Sequence, residues 1–152
     1  MNPDLRIAQI ISVLEKEDAL LKGVSARFFN QEKLDAEWLE NALNTPDGID
    51  RLESFAAKFS RMQDMLIDKL LPLFLQHLGE IPKTAIDNLN RLEQLNIIDD
   101  ANSWADMRQL RNKLVHEYVD DNQQLCEYLL LAKKFSANLS AGFVNLKSAL
   151  QV

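Results

Sequence analysis

The chain has 152 residues, of which 47% are hydrophobic and 26% are charged, and its formal net charge at pH 7 is −6. This length is typical of one domain with one hydrophobic core, and the composition excludes a disordered chain. The negative net charge excludes a generic nucleic-acid binder, because such proteins neutralise many phosphates with lysine and arginine. Any contact with RNA must therefore be local.

Glycine, proline and cysteine are scarce. The chain has four Gly and four Pro, which favours an all-α fold because β-rich folds need many turn residues. Its single cysteine, Cys126, has no second thiol for an internal disulfide, as expected in a reducing cytoplasm. The start of the chain lacks the features of a signal peptide, and no later segment is apolar over the length of a membrane span. We therefore expect a cytoplasmic protein with no membrane contact.

Two helices are predicted in the first third of the chain. Residues 2–4 are an asparagine, a proline and an aspartate, which is typical of a helix start. Apolar residues at helical spacing continue this first helix to about Phe29. A short second helix is predicted at 34–43, and residues 44–48 are interpreted as the break that follows it.

A long third helix has the clearest periodicity in the chain. From Ile49 to Leu73, apolar residues recur at spacings of three and four, which predicts an amphipathic helix. Pro72 removes one backbone hydrogen bond, so we expect a kink near it. Gly79 and Pro82 are expected to end the segment.

Three further helices complete the predicted fold. The fourth covers 84–95, the fifth is capped by one of the aspartates at 99–100, and the last extends from the aspartates at 120–121 to about residue 150. No internal repeat or linker is visible, so residues 1–152 are expected to form a single up-and-down bundle of five to six helices. The predicted apolar face of the fourth helix consists of Ile86, Leu89 and Leu92.

The segment from Arg111 to Tyr118 combines a fixed cation, an amide, an imidazole and a phenol. An arginine matches phosphate geometry and stays charged, while a histidine exchanges a proton near neutral pH. These groups are what phosphodiester cleavage without a metal needs. We expect His116 to act as general base or acid and Arg111 to anchor the phosphate, with Arg108 in support. Asn112 is expected to hydrogen-bond His116 and orient its ring.

The spacing of Arg111 and His116 constrains how they act together. Residues five apart diverge by roughly 140° around a straight helix. Either the helix ends or bends near Val115, or a second chain completes the site. A twofold dimer would bring two arginines and two histidines to one cleft, and we favour this arrangement. Tyr118 is less determined, because a phenol can stack on a base, donate a hydrogen bond or accept a covalent group.

The pattern Arg111-Asn112-x-x-x-His116-x-Tyr118, which follows a tryptophan-containing amphipathic helix, resembles the HEPN superfamily and more narrowly its HepT-like toxins. The resemblance implies an all-α bundle that dimerises across the motif and cleaves RNA, not DNA, without a metal or other cofactor. It also implies a neighbouring nucleotidyltransferase antitoxin that adenylylates the motif tyrosine, here Tyr118. A negatively charged nucleotide beside Arg111 would compete with the substrate phosphate.

Two other interpretations of the motif stay open. Relatives in the same superfamily are described as substrate-binding partners of nucleotidyltransferases, so the segment could belong to a binding module without cleavage. Alternatively, it is an exposed helix end where a cation and a histidine face the last carbonyls of the helix. A metal site is not expected, since the chain has two histidines and one cysteine.

Overall fold

The computed structural model describes residues 3–116 and 120–150, and every regular element in these ranges is a helix. The predicted all-α bundle is therefore confirmed. None of these helices is both long and apolar enough to cross a membrane. The six helices are α1 (Pro3–Phe28), α2 (Ala36–Leu43), α3 (Pro46–Gln63, Asp64–Leu70 and Leu71–His77), α4 (Ala85–Gln94), α5 (Ala101–His116) and α6 (Asn122–Leu150).

Helix α3 begins inside the segment that was predicted to be a break. The side chain of Thr45 caps the helix by accepting a hydrogen bond from the Gly48 N–H at 3.0 Å, and Pro46 occupies the first turn. Proline is favoured there because the first helical N–H groups have no intrahelical partner. Gly48 is also required by packing, since a Cβ at this position would lie 1.8 Å from the carbonyl oxygen of Ala42. The predicted break at 44–48 is thus wrong from Pro46 onward.

The middle of α3, Asp64–Leu70, is π-helical. Its flanking residues, Gln63 and Leu71, have right-handed helical angles, so the helix continues through this segment. The Leu71 N–H donates to the Leu66 carbonyl, five residues back, just before Pro72. In an α-helix the proline ring clashes with the carbonyl four residues earlier, and a wider turn relieves that clash. The proline in this helix therefore coincides with a change of helix type.

Helices α3 and α4 both end at a residue with left-handed backbone angles. These residues are Gly79, with φ of 81°, and Asn96, with φ of 59°. After α3, the Glu80 N–H donates to the Leu75 carbonyl and the Gly79 N–H to the Gln76 carbonyl, both at 2.9 Å, which is the Schellman arrangement of a helix end. The predicted end of the long helix at Gly79 is confirmed.

The predicted apolar face of α4 is wrong at one position. Ile86 is 41% exposed, whereas Leu89 and Leu92 are buried as expected. The third buried residue of this helix is Asn88, whose side-chain oxygen accepts from the Lys83 N–H at 2.8 Å. A side-chain amide whose hydrogen bonds are satisfied by the preceding loop can occupy a buried position where the apolar spacing predicts a hydrophobic residue.

The core is centred on the packing of α1 against α3, and α5 and α6 cover the remaining sides of α3. A cluster of aromatic rings fills the end near α2, with neighbouring centroids 4.9 to 6.2 Å apart. The aromatic cluster contains Phe28, Phe29, Trp38, Phe55 and Phe59.

Helices α5 and α6 begin with the predicted aspartate caps. The side chains of Asp100 and Asp121 each accept a hydrogen bond from the backbone N–H two residues later in the chain.

The contact between Trp104 of α5 and Gly142 of α6 should be intolerant of a side chain. A Cβ at Gly142 would lie 2.6 Å from the Trp104 ring, and Trp104 is 5% exposed. We expect Gly142→Ala to lower the free energy of unfolding by about 1 to 3 kcal/mol, because overpacking displaces a buried ring. Urea denaturation measures this. Gly23→Ala is the control, since its Cβ would meet only the flexible end of Arg27 at 3.2 Å; an equal loss in both variants would contradict the packing argument.

An ion pair joins the loop after α3 to α4, and its contribution to the stability of the fold depends on pH. Arg91 donates to Glu80 at 2.8 and 3.1 Å, and this hydrogen bonding lowers the pKa of Glu80 from its ordinary value of 4.5. A lowered folded-state pKa contributes stability above that ordinary value, and the contribution is lost as pH falls through the folded-state pKa. The urea midpoint of wild type should therefore exceed that of Glu80→Gln near neutral pH, and the difference should narrow as pH falls below 4.5 towards the lowered folded-state pKa of Glu80. A gap that stays constant would contradict this assignment.

Candidate functional site

Helix α5 presents two arginines along its contact with α3. Its buried side is apolar and includes Trp104, Met107 and Leu110. Arg108 and Arg111, three residues apart, lie beside this apolar face and reach across to α3. The pairing of Arg111 with Asp64 and of Arg108 with Asp68 shows that α3 and α5 run antiparallel here.

Arg111 is held by three hydrogen bonds. Its Nε–H donates to the Ser60 Oγ at 2.8 Å, and an Nη2–H donates to the Asp64 Oδ2 at 2.8 Å. An Nη1–H donates to the Asn112 Oδ1 at 2.9 Å. The side chain is 22% exposed, so it is partly withdrawn from solvent. Because a guanidinium carries five N–H groups, two of them remain for a further acceptor.

Arg108 forms a second, parallel pair. Its two terminal nitrogens donate to the two carboxylate oxygens of Asp68 at 2.9 and 3.4 Å. This two-point geometry fixes the plane of the guanidinium. The side chains of Arg108 and Asp68 are 34% and 47% exposed, so solvent screens the pair more than it screens Arg111 and Asp64.

The acceptors on α3 were not predicted from the sequence. Ser60, Asp64 and Asp68 recur every four residues beside the apolar face of α3. Such a polar line is a signal that sequence inspection can find, because residues four apart share one side of a helix. The identity of the opposite helix is a tertiary property, so the pattern alone does not indicate which cations the line meets.

Asn112 contacts Arg111 through its carbonyl oxygen. The predicted hydrogen bond from Asn112 to His116 stays a prediction. The side-chain oxygen of Asn112 accepts from Arg111, which leaves the side-chain nitrogen as the group that could reach His116. His116 is the last residue of α5, and only its backbone is described. The predicted control residue Tyr118 lies outside the described residues.

Lys113, the remaining cation of the segment, is directed towards α6. Its Nζ donates to the Tyr128 hydroxyl at 3.2 Å and lies 5.0 Å from the centre of that ring. This contact combines a hydrogen bond with a cation–π interaction. The positive charge of the segment is therefore divided between two sides of α5, and Arg108 and Arg111 share the side towards α3.

The paired arginines are partly exposed, Arg108 by 34% and Arg111 by 22%. Neither of them lines any of the five cavities described for residues 3–116 and 120–150. The largest, of about 760 Å³, lies near Trp38 and Arg51 at the start of α3. Among residues 3–116 and 120–150, no group of three or more histidine, cysteine or acidic side chains is arranged to hold a metal ion.

Comparison of the chain with protein-family models, curated proteins and solved structures finds no match.

A buried amide lies on α3 between Ser60 and Asp64 in sequence. Gln63 is 1% exposed, and neither its oxygen nor its nitrogen has a hydrogen-bond partner in the described part of the chain. An unpaired buried polar group costs about 1 to 3 kcal/mol. Gln63→Met keeps the length of the side chain and removes the polar atoms.

We expect Gln63→Met to raise the free energy of unfolding by about 1 kcal/mol, because the desolvation cost of the amide disappears. Chemical denaturation at neutral pH measures the change. Gln76→Met on an exposed position of the same helix is the matched control and should change stability by about 0.5 kcal/mol or less. A destabilised Gln63→Met would instead indicate that the amide contributes favourable contacts.

Proposed function

We propose that this chain is a metal-independent endoribonuclease toxin that acts as a homodimer. The observation that supports the proposal is the fixed guanidinium of Arg111 on the same helix as His116. An arginine held in one orientation can stabilise charge that develops on a phosphate oxygen without reorganising during the reaction. In this proposal His116, five residues later on the same helix, supplies proton transfer near neutral pH.

The proposed reaction is a transesterification within the RNA strand. The ribose 2′-oxygen forms a bond to phosphorus and the bond from phosphorus to the 5′-oxygen breaks. The base accepts the 2′-hydroxyl proton, and the acid donates a proton to the departing 5′-oxygen. The products are a 2′,3′-cyclic phosphate end and a 5′-hydroxyl end. His116 supplies the proton transfers, and Arg111 faces the phosphate oxygens.

A dimer supplies both proton-transfer groups at once. In one chain Arg111 and His116 diverge by roughly 140° if α5 stays straight. Two chains related by a twofold axis bring a pair of each residue to one cleft, so that one histidine acts as base and the other as acid. Val115, which is 42% exposed between them in sequence, gives this end of α5 an apolar residue for such a contact.

The charges around the arginines favour a local contact with RNA. Asp64 and Asp68 balance Arg111 and Arg108, and the whole chain carries −6. Long-range attraction to a polyanion is therefore weak, and recognition depends on the few N–H groups that the arginines leave free. We infer that one or two phosphates are contacted and that affinity is modest.

Control of the toxin is assigned in this proposal to a nucleotidyltransferase antitoxin that adenylylates Tyr118. The modification would place a negatively charged, bulky group two residues from His116. Such a group competes with RNA for the free edge of Arg111 and obstructs the cleft. The cytoplasm, where RNA and such a partner coexist, is the proposed location.

A second candidate function is a non-catalytic module that binds a nucleotide or a nucleotidyltransferase. The charge balance at the two Arg–Asp pairs favours this candidate, because partly exposed paired charges suit docking to a protein with complementary pairs. Turnover on RNA separates the two functions.

Arg111→Ala and His116→Ala should each reduce RNA cleavage by roughly 100-fold or more, because each removes one half of the proposed chemistry. The measurement is cleavage of RNA by purified protein in EDTA, with mass analysis of the product ends and circular dichroism to verify the fold. Wild-type products should carry cyclic phosphate ends.

Matched controls exist for both variants. Arg91 is likewise paired with an acid, and His77 is the other histidine of the chain. The Arg91→Ala and His77→Ala variants should cleave RNA at the wild-type rate. Full activity in Arg111→Ala or His116→Ala would refute the mechanism, whereas a wild-type chain that binds RNA or the partner without turnover would favour the binding module.

A further inference from the structure

We propose that Asp64 is a positioning residue, which acts through Arg111 on the proposed reaction and does not touch RNA itself. This inference rests on the proposed function and adds an α3 residue to the proposed site. The contact that carries it is the 2.8 Å hydrogen bond from an Nη2–H of Arg111 to the Asp64 Oδ2.

Asp64 is the charged member of the three acceptors that hold Arg111. Ser60 and Asn112 offer neutral oxygens, at 2.8 and 2.9 Å. Hydrogen bonds between ionised partners are roughly twice as strong as neutral ones. Ser60 and Asp64 together engage the Nε and Nη2 side of the guanidinium, which fixes rotation of its plane. The outer N–H groups then keep one direction relative to α5.

The π-helical segment places this carboxylate. Asp64 is the first residue of that segment, and Ser60 lies one α-helical turn before it. Asp68 lies four residues later within the wider π-helical turns and still reaches α5, where it pairs with Arg108. π-helical insertions are frequent at functional sites, where they change the register of side chains along a helix. Here the segment aligns two carboxylates with two arginines.

A positioning role predicts opposite effects on binding and on chemistry. The negative charge of Asp64 repels an incoming phosphate, so its removal should leave RNA binding equal or tighter. The same removal weakens the strongest of the three contacts that orient the guanidinium, and misplacement of a catalytic group by about 1 Å can cost roughly 100-fold in rate. A residue that only stabilised the fold would not separate these two quantities.

The test compares Asp64→Asn with Glu80→Gln in the RNA cleavage assay. Asp64→Asn should lower kcat by roughly tenfold or more, with KM equal to or below that of wild type. Glu80→Gln is the matched control, because it removes the same charge from an Arg–carboxylate pair outside the proposed site, and its kcat should stay within about threefold of wild type. Binding of a 2′-deoxy-substituted oligonucleotide, measured by fluorescence anisotropy, reports affinity without cleavage.

Two further variants show whether Asp64 acts through Arg111. The double variant Asp64→Asn with Arg111→Ala should be no slower than Arg111→Ala alone, because the partner of Asp64 is already gone. Asp64→Glu keeps the charge and should recover part of the lost kcat. Thermal unfolding of each variant verifies that activity changes do not follow stability.

The outcomes separate this inference from the proposed function. A wild-type chain without turnover overturns both. Turnover in wild type together with unchanged kcat in Asp64→Asn overturns the positioning role and leaves the nuclease intact. Equal losses in Asp64→Asn and Glu80→Gln, or additive losses in the double variant, also overturn it.

Discussion

The apolar contact between α1 and α3 is the constraint on which the arrangement of the rest of the chain depends. Phe55, Phe59 and Met62 of α3 have no exposed surface, and Leu14 of α1 is likewise fully enclosed. Burial of such side chains contributes about 1.5 to 3 kcal/mol each, which far exceeds a surface ion pair. This contact sets the rotation of α3 about its axis. Once that rotation is set, the polar line of Ser60, Asp64 and Asp68 must face α5.

The two Arg–Asp pairs have a different significance from the core. Partly exposed ion pairs contribute about 0 to 1 kcal/mol, so stability gives little reason to have two of them side by side. The pairs fix the orientation of the two guanidinium groups, because each group is bound at more than one point. In the proposed reaction, a guanidinium that is already oriented would stabilise charge developing on a phosphate oxygen without reorganising during the step.

The buried polar groups of α3 lie close together in the same part of the helix. Ser60 is 9% exposed and Gln63 is 1% exposed, and both precede the π-helical segment. Buried polar groups and irregular helical turns both reduce local stability, and natural proteins commonly carry such costs where a site must be shaped. The coincidence of these features with the acceptors of Arg111 supports the view that α3 contributes to the site.

The sequence by itself determined the helices, most of their ends and the motif. Periodic apolar residues and local caps act within one or two turns, so the cap at Asp100 and the end at Gly79 followed from neighbouring residues alone. The tertiary structure decided the burial of Asn88 in α4, the π-helical turns before Pro72 and the pairing of Arg111 with Asp64. Each of these depends on groups that are distant in sequence or on strain relieved by packing, and a local pattern does not contain that information.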